Sequence, residues 1–195
     1  MKSAATALSE IRLLCTQGLA TQVVVPAVAR VMHRWIPNGL TYFQWVDARL
    51  QPTVAYFDLP EAAGCYQRYR DHYCNAREAE AQPTLQQVML APCPVENTDR
   101  YGKRFRESTF VRETLSPLQI NTYVRAPVRI PKLGGGVLVL MRGPRDQPFA
   151  LKEDQGLGSV VAYLRHAFET PARPVGGDAS SSEEGLVVLD RQGHI

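Results

Sequence analysis

The sequence predicts an α+β fold, within the broad α/β class, with a central antiparallel sheet and helices on both faces. Two observations lead to this expectation. Two pairs of apolar segments are each joined by a short turn, which is typical of β-hairpins and makes their strands antiparallel. Segments with apolar residues at helical spacing precede, separate and follow these hairpins. Helices in such an order pack on the faces of the sheet that the hairpins form.

Two helices are predicted before the first strand. Residues 3–17 carry apolar side chains at helical spacing, and Gly18 can end this helix. Thr21 can cap the second helix, which places Pro26 near its first turn. The second helix should bury one face, because its apolar side chains form a single stripe of Val24, Val28, Val31 and Trp35.

The first hairpin follows directly. Leu40–Val46 is rich in aromatic and β-branched residues and predicts a strand. Asp47–Pro52 predicts a turn, and Thr53–Phe57 predicts the second strand. Residues 60–75 then return to a helical pattern. This helix should carry three phenols on one face, namely Tyr66, Tyr69 and Tyr73.

The middle of the chain is the least regular. Residues 79–106 hold several Pro, Asn, Asp and Gly residues, which predicts a loop with a short helix near Leu85–Val88. Residues 107–116 predict another short helix. Gln119–Ile130 alternates between apolar and polar side chains, as a half-buried strand does. Because Pro127 lacks an N–H, this strand should lie at a sheet edge or carry a bulge there.

The second hairpin and a long helix complete the predicted domain. Lys132–Gly135 predicts a turn, and the apolar run Gly136–Met141 predicts a central strand. We expect a helix from Pro148 onwards, packed with the two N-terminal helices on one face of the sheet. The Tyr66 helix and the segment 79–106 should cover the other face. The last helix has a regular apolar stripe, formed by Leu157, Val160, Val161, Leu164 and Phe168.

Composition divides the chain after this helix. Residues 1–170 have the composition of one globular domain. Residues 171–184 are rich in Pro, Gly and Ser and predict a flexible linker. Residues 185–195 begin with GLVVLD and predict a further strand. Since a single strand does not fold alone, we expect this stretch to be the start of a truncated second segment.

Charge and cysteine content restrict the class of protein. The formal net charge is +3, and the 22 basic residues are spread along the chain among 19 acidic ones, so the sequence does not predict a nucleic-acid-binding face. The four cysteines form no C-x-x-C pair and are expected to be reduced thiols. No segment resembles a signal peptide or supplies the roughly 20 apolar residues of a membrane span. We therefore expect a cytoplasmic protein without a membrane partner.

The common catalytic motifs are missing from the sequence. It contains no G-x-S-x-G, no H-E-x-x-H and no G-x-x-x-x-G-K-[ST] phosphate loop. The glycine triplet at 134–136 is placed in a hairpin turn, where glycine accepts positive φ. Gly156 and Gly158 lie in a helical pattern and indicate close helix packing. These features lead us to expect no catalytic activity.

Histidine and cysteine spacing gives no metal or cofactor site. His72 and Cys74 are the nearest pair, and residues two apart on a helix point in different directions. We therefore expect neither a metal nor a cofactor. The alternative in the enzyme class is a thiol-based redox enzyme that uses Cys74 and Cys93, which would require a lowered thiol pKa.

A candidate ligand site is predicted where polar-aromatic faces of the strands meet the Tyr66 helix. Apolar walls with a few polar groups are typical of small-molecule sites. Arg125 needs a partner there, because burial of an unpaired charge is costly, and an anionic group of a ligand is one candidate. The expected lining residues are Tyr42, Gln44, Tyr56, Tyr66, Tyr69, Tyr73, Tyr123 and Arg125.

Three alternatives to this site stay open. Arg125 can form an ion pair with an acid such as Asp58, or lie exposed at the sheet edge. The phenols can pack at the edge of the core with their hydroxyls in water. The domain can also be a protein-interaction module with a filled core and no cavity.

The ordered elements resemble the GAF-like sensor domain at the N-terminus of LuxR-type helix-turn-helix regulators. The strongest match is the strand Thr122–Ile130, followed by Gly-Gly-Val-Leu-Val-Leu-Met-Arg at 135–142 and Gln-Pro-Phe at 147–149 before a helix. The aromatic strand Tyr42–Val46 is similar to the first strand of that family. The resemblance covers about residues 1–170 and implies a GAF/PAS-like sheet.

The resemblance also implies a function. It implies a regulatory domain of a bacterial-type transcription regulator that binds a small-molecule effector. It implies homodimers formed through the N-terminal helices and the last helix, and DNA contact only through a domain outside this chain. The tail 185–195 is similar to the opening strand of a PAS-like or linking segment. The chain lacks the cyclic-nucleotide signature and the Cys-His attachment site of bilin-binding GAF domains, so the effector is not identified.

Overall fold

The computed structural model describes residues 3–92 and 95–170 and shows the predicted α+β fold around a five-stranded antiparallel sheet. The strands are β1 (Leu40–Val46), β2 (Pro52–Phe57), β3 (Glu96–Asn97), β4 (Thr122–Ile130) and β5 (Gly134–Arg142). The α-helices are α1 (Ala4–Cys15), α2 (Thr21–Trp35), α3 (Ala62–His72), α4 (Leu85–Leu90), α5 (Gly102–Arg106) and α6 (Leu151–Glu169). The sheet order is β2-β1-β5-β4-β3.

The sheet separates two hydrophobic cores, because successive side chains of a strand point to opposite faces. Phe43 and Leu138 belong to the first core, which α1, α2 and α6 cover. Tyr69 of α3 and Val139 of β5 belong to the second core, together with residues of α4 and α5. The predicted assignment of helices to the two faces is therefore confirmed.

The strand β5 lies in the centre of the sheet, and all of its residues are buried, as the apolar run predicts. It begins at Gly134, two residues earlier than predicted, since Gly134 and Gly135 already pair with Ile130 and Arg129. Both glycines have positive φ, 96° and 124°. A Cβ at Gly135 would overlap the carbonyl oxygen of Val128, so the start of this strand requires glycine.

Pro127 of β4 was expected to lie at a sheet edge or at a bulge, because it lacks an N–H. The second neighbour of this strand, β3, pairs only with Val124 and Arg125. In the described part of the chain, no strand pairs with β4 beside Pro127 on that side, so the missing N–H disrupts no ladder. The edge alternative is thus confirmed. The strand β3 was not predicted, because two residues are too few to show a period.

The starts of two helices differ from the predictions. Thr21 is the first residue of α2 and not its cap, and its hydroxyl accepts a hydrogen bond from Nε1 of Trp45 at 3.1 Å. Pro26 lies inside α2. The helix α6 begins at Leu151, three residues later than predicted.

The irregular middle segment contains several short helices. The predicted helix near Leu85–Val88 is confirmed as α4, and α5 lies further along the same segment. The helix predicted within 107–116 is a π-helix at Val111–Leu115, followed by a 3₁₀ turn at Ser116–Leu118. These pieces cover the second core on the side of α3.

The predicted linker at 171–184 and the second segment at 185–195 lie outside the described residues. Within the described ranges, none of the helices combines the length and the apolar character that crossing a membrane requires.

Candidate ligand-binding site

A cavity of about 50 Å³ lies in the second core, between the sheet and α3. The strands β1, β4 and β5 form its floor, and α3, the π-helix and the turns beside them form its walls. Most of its surface is aromatic or aliphatic. Its lining residues are Leu40, Tyr42, Phe57, Ala62, Cys65, Tyr66, Tyr69, Leu85, Phe110, Thr114, Leu115, Leu118, Tyr123, Arg125, Val137 and Met141.

Five of the eight residues predicted for the site line this cavity: Tyr42, Tyr66, Tyr69, Tyr123 and Arg125. The two residues of α3 share one helix face because they are three positions apart. Tyr123 and Arg125 share one face of β4 through its period of two, and Tyr42 joins them because β1 and β4 both pair with β5 at Val139. Local periodicity therefore grouped residues within each element, and strand pairing brought the groups together.

Tyr56 and Tyr73 are corrections to the predicted site. Tyr56 pairs with Phe43 in the β1–β2 register, so its side chain lies on the opposite face and packs against the first core. Tyr73 is buried in the second core but lies past the end of α3. Its hydroxyl donates a hydrogen bond of 2.6 Å to Glu113 instead of lining the cavity.

Gln44 is fully buried but does not line the cavity. It lies on the cavity face of β1, between Tyr42 and Val46 in the strand alternation. Neither polar atom of its amide has a hydrogen-bond partner among the described residues. A buried amide without hydrogen-bond partners lowers the free energy of unfolding, so Gln44 destabilises the fold unless another group bonds to it.

Contacting aromatic rings form part of the cavity wall. Phe57 stacks on Tyr42 with a centroid distance of 5.6 Å and meets Tyr66 edge-on at 5.1 Å. Phe110 meets Tyr69 edge-on at 6.1 Å. Sequence reasoning missed both phenylalanines as lining residues. Phe57 was predicted as a strand residue but not as part of the site. Phe110 precedes a π-helix, for which the α-helical spacing of side chains does not predict which of them share a face.

Arg125 provides the one basic side chain of the cavity lining. Its side chain is 4% exposed and forms an ion pair with Glu96 through Nε. Its Nη2 donates to the carbonyl oxygen of Pro83 at 2.7 Å, and its guanidinium lies 5.7 Å from the Tyr123 ring centroid. Arg125 therefore already has an anionic partner from the chain itself.

Asp58, the partner considered for Arg125 from sequence, lies elsewhere. Its carboxylate accepts hydrogen bonds from the backbone N–H of Thr41, at 2.9 and 3.0 Å, and contacts Nε2 of His33. This arrangement ties the end of β2 to β1 and α2. The proposed pair with Arg125 was wrong because Asp58 follows β2, whereas Arg125 lies across β1 and β5 on β4.

Arg125 marks the polar end of the cavity, and a second carboxyl group, Glu78, lies near it. Glu78 is fully buried, and its Oε1 accepts hydrogen bonds from the backbone N–H of Leu85 and, at 3.2 Å, of Asn75. Its Oε2 has no hydrogen-bond partner in the described chain. Burial raises the pKa of Glu78, and the nearby positive charge of Arg125 opposes that shift.

The phenols of the cavity are neutral at pH 7. Burial raises the pKa of Tyr66 to about 12, and it raises the pKa values of Tyr42 and Tyr69 well above the ordinary phenol value. Burial also raises the pKa of Cys74 to about 11, so its thiol is almost wholly protonated. Its proposed redox partner, Cys93, lies outside the described residues.

No metal site appears within residues 3–92 and 95–170, where no three His, Cys, Asp or Glu side chains are grouped closely enough to hold an ion. The three cysteines of these ranges are free thiols, and one of them, Cys65, lines the cavity. The arrangement supplies apolar surface, neutral hydroxyls and one neutralised guanidinium, which suits non-covalent binding.

The size of the cavity limits what can enter without movement. An engineered cavity of about 150 Å³ holds a benzene molecule, whereas this one has about 50 Å³. A ring-sized ligand therefore requires the wall to move outward. The wall contains the π-helix Val111–Leu115, and π-helical turns frequently occur at functional sites.

The fold is similar to that of solved GAF domains. The GAF domain of an Acinetobacter phosphoenolpyruvate-protein phosphotransferase has a TM-score of 0.52 at 14% identity, with 87% of this chain and 95% of that chain covered. The phycoerythrobilin-bound GAF domain of a cyanobacterial phytochrome has a TM-score of 0.56 at 11% identity, with 87% and 96% covered. The GAF domain of the cyanobacteriochrome TePixJ has a TM-score of 0.52 at 13% identity, with 80% and 92% covered.

These similarities define the structural class as GAF-like, and the predicted GAF-like architecture is confirmed. No family model and no curated protein matches the chain. Membership of the LuxR-type regulators stays a prediction from the sequence motifs.

Proposed function

We propose that residues 1–170 form a regulatory sensor domain that binds a small-molecule effector in the cavity between the sheet and α3. The observation that carries this proposal is the aromatic-lined cavity itself, because a domain that serves only as a scaffold gains stability by filling such a space. A GAF domain of similar fold is phycoerythrobilin-bound, which supports the proposal.

The wider role follows from the same proposal. A sensor domain transmits ligand binding to another part of the protein, and we propose that this domain acts within a cytoplasmic transcription regulator, as a homodimer and without catalysis. The strand and helix-start motifs of residues 122–149 support the regulator context. The protonated thiol of Cys74 disfavours the alternative of a thiol-based redox enzyme.

The test combines ligand discovery with a substitution that fills the cavity. Ala62 lines the cavity and is buried, whereas Ala63 is exposed on the same helix. Protein purified from cells is analysed by native mass spectrometry, and a metabolite library is screened by thermal shift. An effector at about 100 times its dissociation constant adds about 2.7 kcal/mol to the free energy of unfolding.

We expect Ala62→Leu to abolish the thermal shift of the effector and Ala63→Leu to retain it. The first variant is itself destabilised by about 1–3 kcal/mol through overpacking, so shifts are compared with each variant's own unliganded melting point. If no metabolite stabilises the wild type, or if Ala62→Leu responds like the wild type, the proposal is wrong and the protein-interaction alternative is favoured.

A further inference from the structure

The polar end of the cavity has two acidic residues near it and one basic residue. Arg125 is the basic residue there, and Glu96 is paired with it directly, with side chains only 4% and 13% exposed. Glu78 is the second carboxyl group near that guanidinium, and its electrostatic influence reaches the cavity phenols Tyr42 and Tyr69. Whether Glu78 is protonated or ionised, the three groups together carry no net positive charge.

An anionic ligand would therefore meet an unfavourable site. It would have to leave water, where its charge is solvated, and its attraction to Arg125 would be offset by repulsion from Glu96. Displacement of Glu96 would leave its largely buried carboxylate without its cation, which is costly as well. The alternative that a ligand anion neutralises Arg125 is thus disfavoured by the structure.

The walls favour a flat, aromatic group. Tyr42 and Phe57 are stacked, Tyr66 meets Phe57 edge-on, and Phe110 meets Tyr69 edge-on, in the geometries that aromatic rings adopt with one another. The Tyr66 hydroxyl is buried and has no hydrogen-bond partner among the described residues. A ligand with a neutral hydrogen-bonding group can supply one.

We propose that the effector is a small, neutral aromatic molecule with a hydrogen-bonding substituent, and that Glu96 excludes the corresponding carboxylic acids by neutralising Arg125. This inference rests on the proposed function and adds the chemical class of the effector. Glu96 does not line the cavity. It determines specificity through Arg125, whose positive charge it neutralises.

The test uses benzamide and benzoate, which have nearly the same shape and differ in charge. Dissociation constants are measured at pH 7 by ligand-observed NMR or calorimetry with the full chain. We expect the wild type to bind benzamide at least tenfold more tightly than benzoate. The variant Glu96→Gln should shift this ratio at least tenfold towards benzoate. The exposed residue Glu80 provides the control variant Glu80→Gln, which should keep the wild-type ratio.

Three results would overturn the inference: benzoate binding as tightly as benzamide to the wild type, an unchanged ratio in a folded Glu96→Gln variant, or binding of neither probe. The wild-type ratio decides the charge preference even if Glu96→Gln does not fold. These results would not by themselves overturn the proposed function. If a metabolite stabilises the wild type but not Ala62→Leu, the cavity is still a ligand site, and its effector belongs to another chemical class.

Discussion

Two glycines of α6 differ in what surrounds them. A Cβ at Gly156 would overlap the indole ring of Trp35 in α2, whereas a Cβ at Gly158 would have no heavy atom within 4 Å. The close packing that the sequence suggested for both positions thus applies to Gly156 alone. Trp35 approaches α6 this closely only because residue 156 has no side chain.

This difference predicts opposite effects of the same substitution. Gly158→Ala should stabilise the protein by up to about 1 kcal/mol, since alanine is the better helix former. Gly156→Ala gains the same propensity but must displace Trp35, which costs about 1–3 kcal/mol. Thermal or chemical denaturation measures both. Equal stability of the two variants would show that Trp35 does not restrict this position.

Glu78 predicts a pH dependence of stability. Because burial raises its pKa in the folded state, the folded protein binds its proton more tightly than the unfolded chain does. Its contribution to stability is complete below the ordinary glutamate pKa of about 4.5 and is lost as pH rises through the folded-state value. The buried Asp154 acts in the same direction, so variants must be compared with the wild type.

We expect Glu78→Gln to reduce the fall in unfolding free energy between about pH 4.5 and neutral pH, since glutamine does not titrate. Urea denaturation at several pH values measures this slope. Glu80→Gln alters an exposed carboxylate two positions away and should keep the wild-type slope. A Glu78→Gln slope identical to that of the wild type would contradict the burial effect.

At the scale of elements, Arg142 joins β5 to the start of α6. Its guanidinium stacks on the Phe149 ring at 4.0 Å and forms a two-point ion pair with Glu153, at 2.9 and 3.2 Å. Its Nε also donates to the carbonyl oxygen of Pro37 at 2.8 Å. The arginine of the strand motif and the phenylalanine of the helix start are therefore two halves of one contact.

Removal of this arginine should be strongly destabilising. Arg142→Ala leaves Glu153 without its cation and Phe149 without its stacking partner, and loss of one member of a buried ion pair typically costs about 3–5 kcal/mol. Arg145→Ala alters an exposed arginine of the same loop and should change stability by less than about 0.5 kcal/mol. Chemical denaturation of both variants tests the contrast, and similar losses would contradict the proposed role of Arg142.

The π-helix Val111–Leu115 forms part of the cavity wall. The Oγ1 of Thr114 donates to the carbonyl oxygen of Phe110 at 2.7 Å, which satisfies a backbone acceptor within the element. Phe110, Thr114 and Leu115 all line the cavity. Binding of the proposed aromatic effector would therefore require part of this wall, formed by the short helix and α3, to move outward.

At the scale of the whole molecule, the exposed apolar residues of α1 and α2 are relevant to dimer formation. Leu13 of α1 and Val23 of α2 are 61% and 56% exposed, on the side of the sheet away from the cavity. Exposed leucine and valine on neighbouring helices are suited to an interface between copies, and two-fold dimers are the commonest closed oligomers.

We expect the wild type to be a dimer at micromolar concentration and Leu13→Arg to weaken it, because a charge would be buried at the interface. Light scattering coupled to size exclusion measures the mass. Leu133→Arg changes an equally exposed leucine in the β4–β5 turn and should leave the dimer intact. A single-chain mass for the wild type would contradict the prediction.

Much of the fold was predictable because burial follows local periods. The period of two in β4 assigned Tyr123 and Arg125 to one face, and the helical stripe of α3 assigned Tyr66 and Tyr69 to theirs. These assignments need no knowledge of distant residues. The predicted class, the order of the main elements and five cavity residues depend on such local rules.

The sequence by itself determined which side chains share a face within one strand or helix, whereas only the tertiary structure decided which core that face covers and how the side chains meet. Tyr56 lies on the other face because of its register with Phe43, and a register depends on the pairing of two strands. Arg125 pairs with Glu96 because β3, a strand of two residues, pairs with β4 at that point. The volume of the cavity depends on how closely α3 and the π-helix approach the sheet, which is the balance of many contacts between residues far apart in the chain.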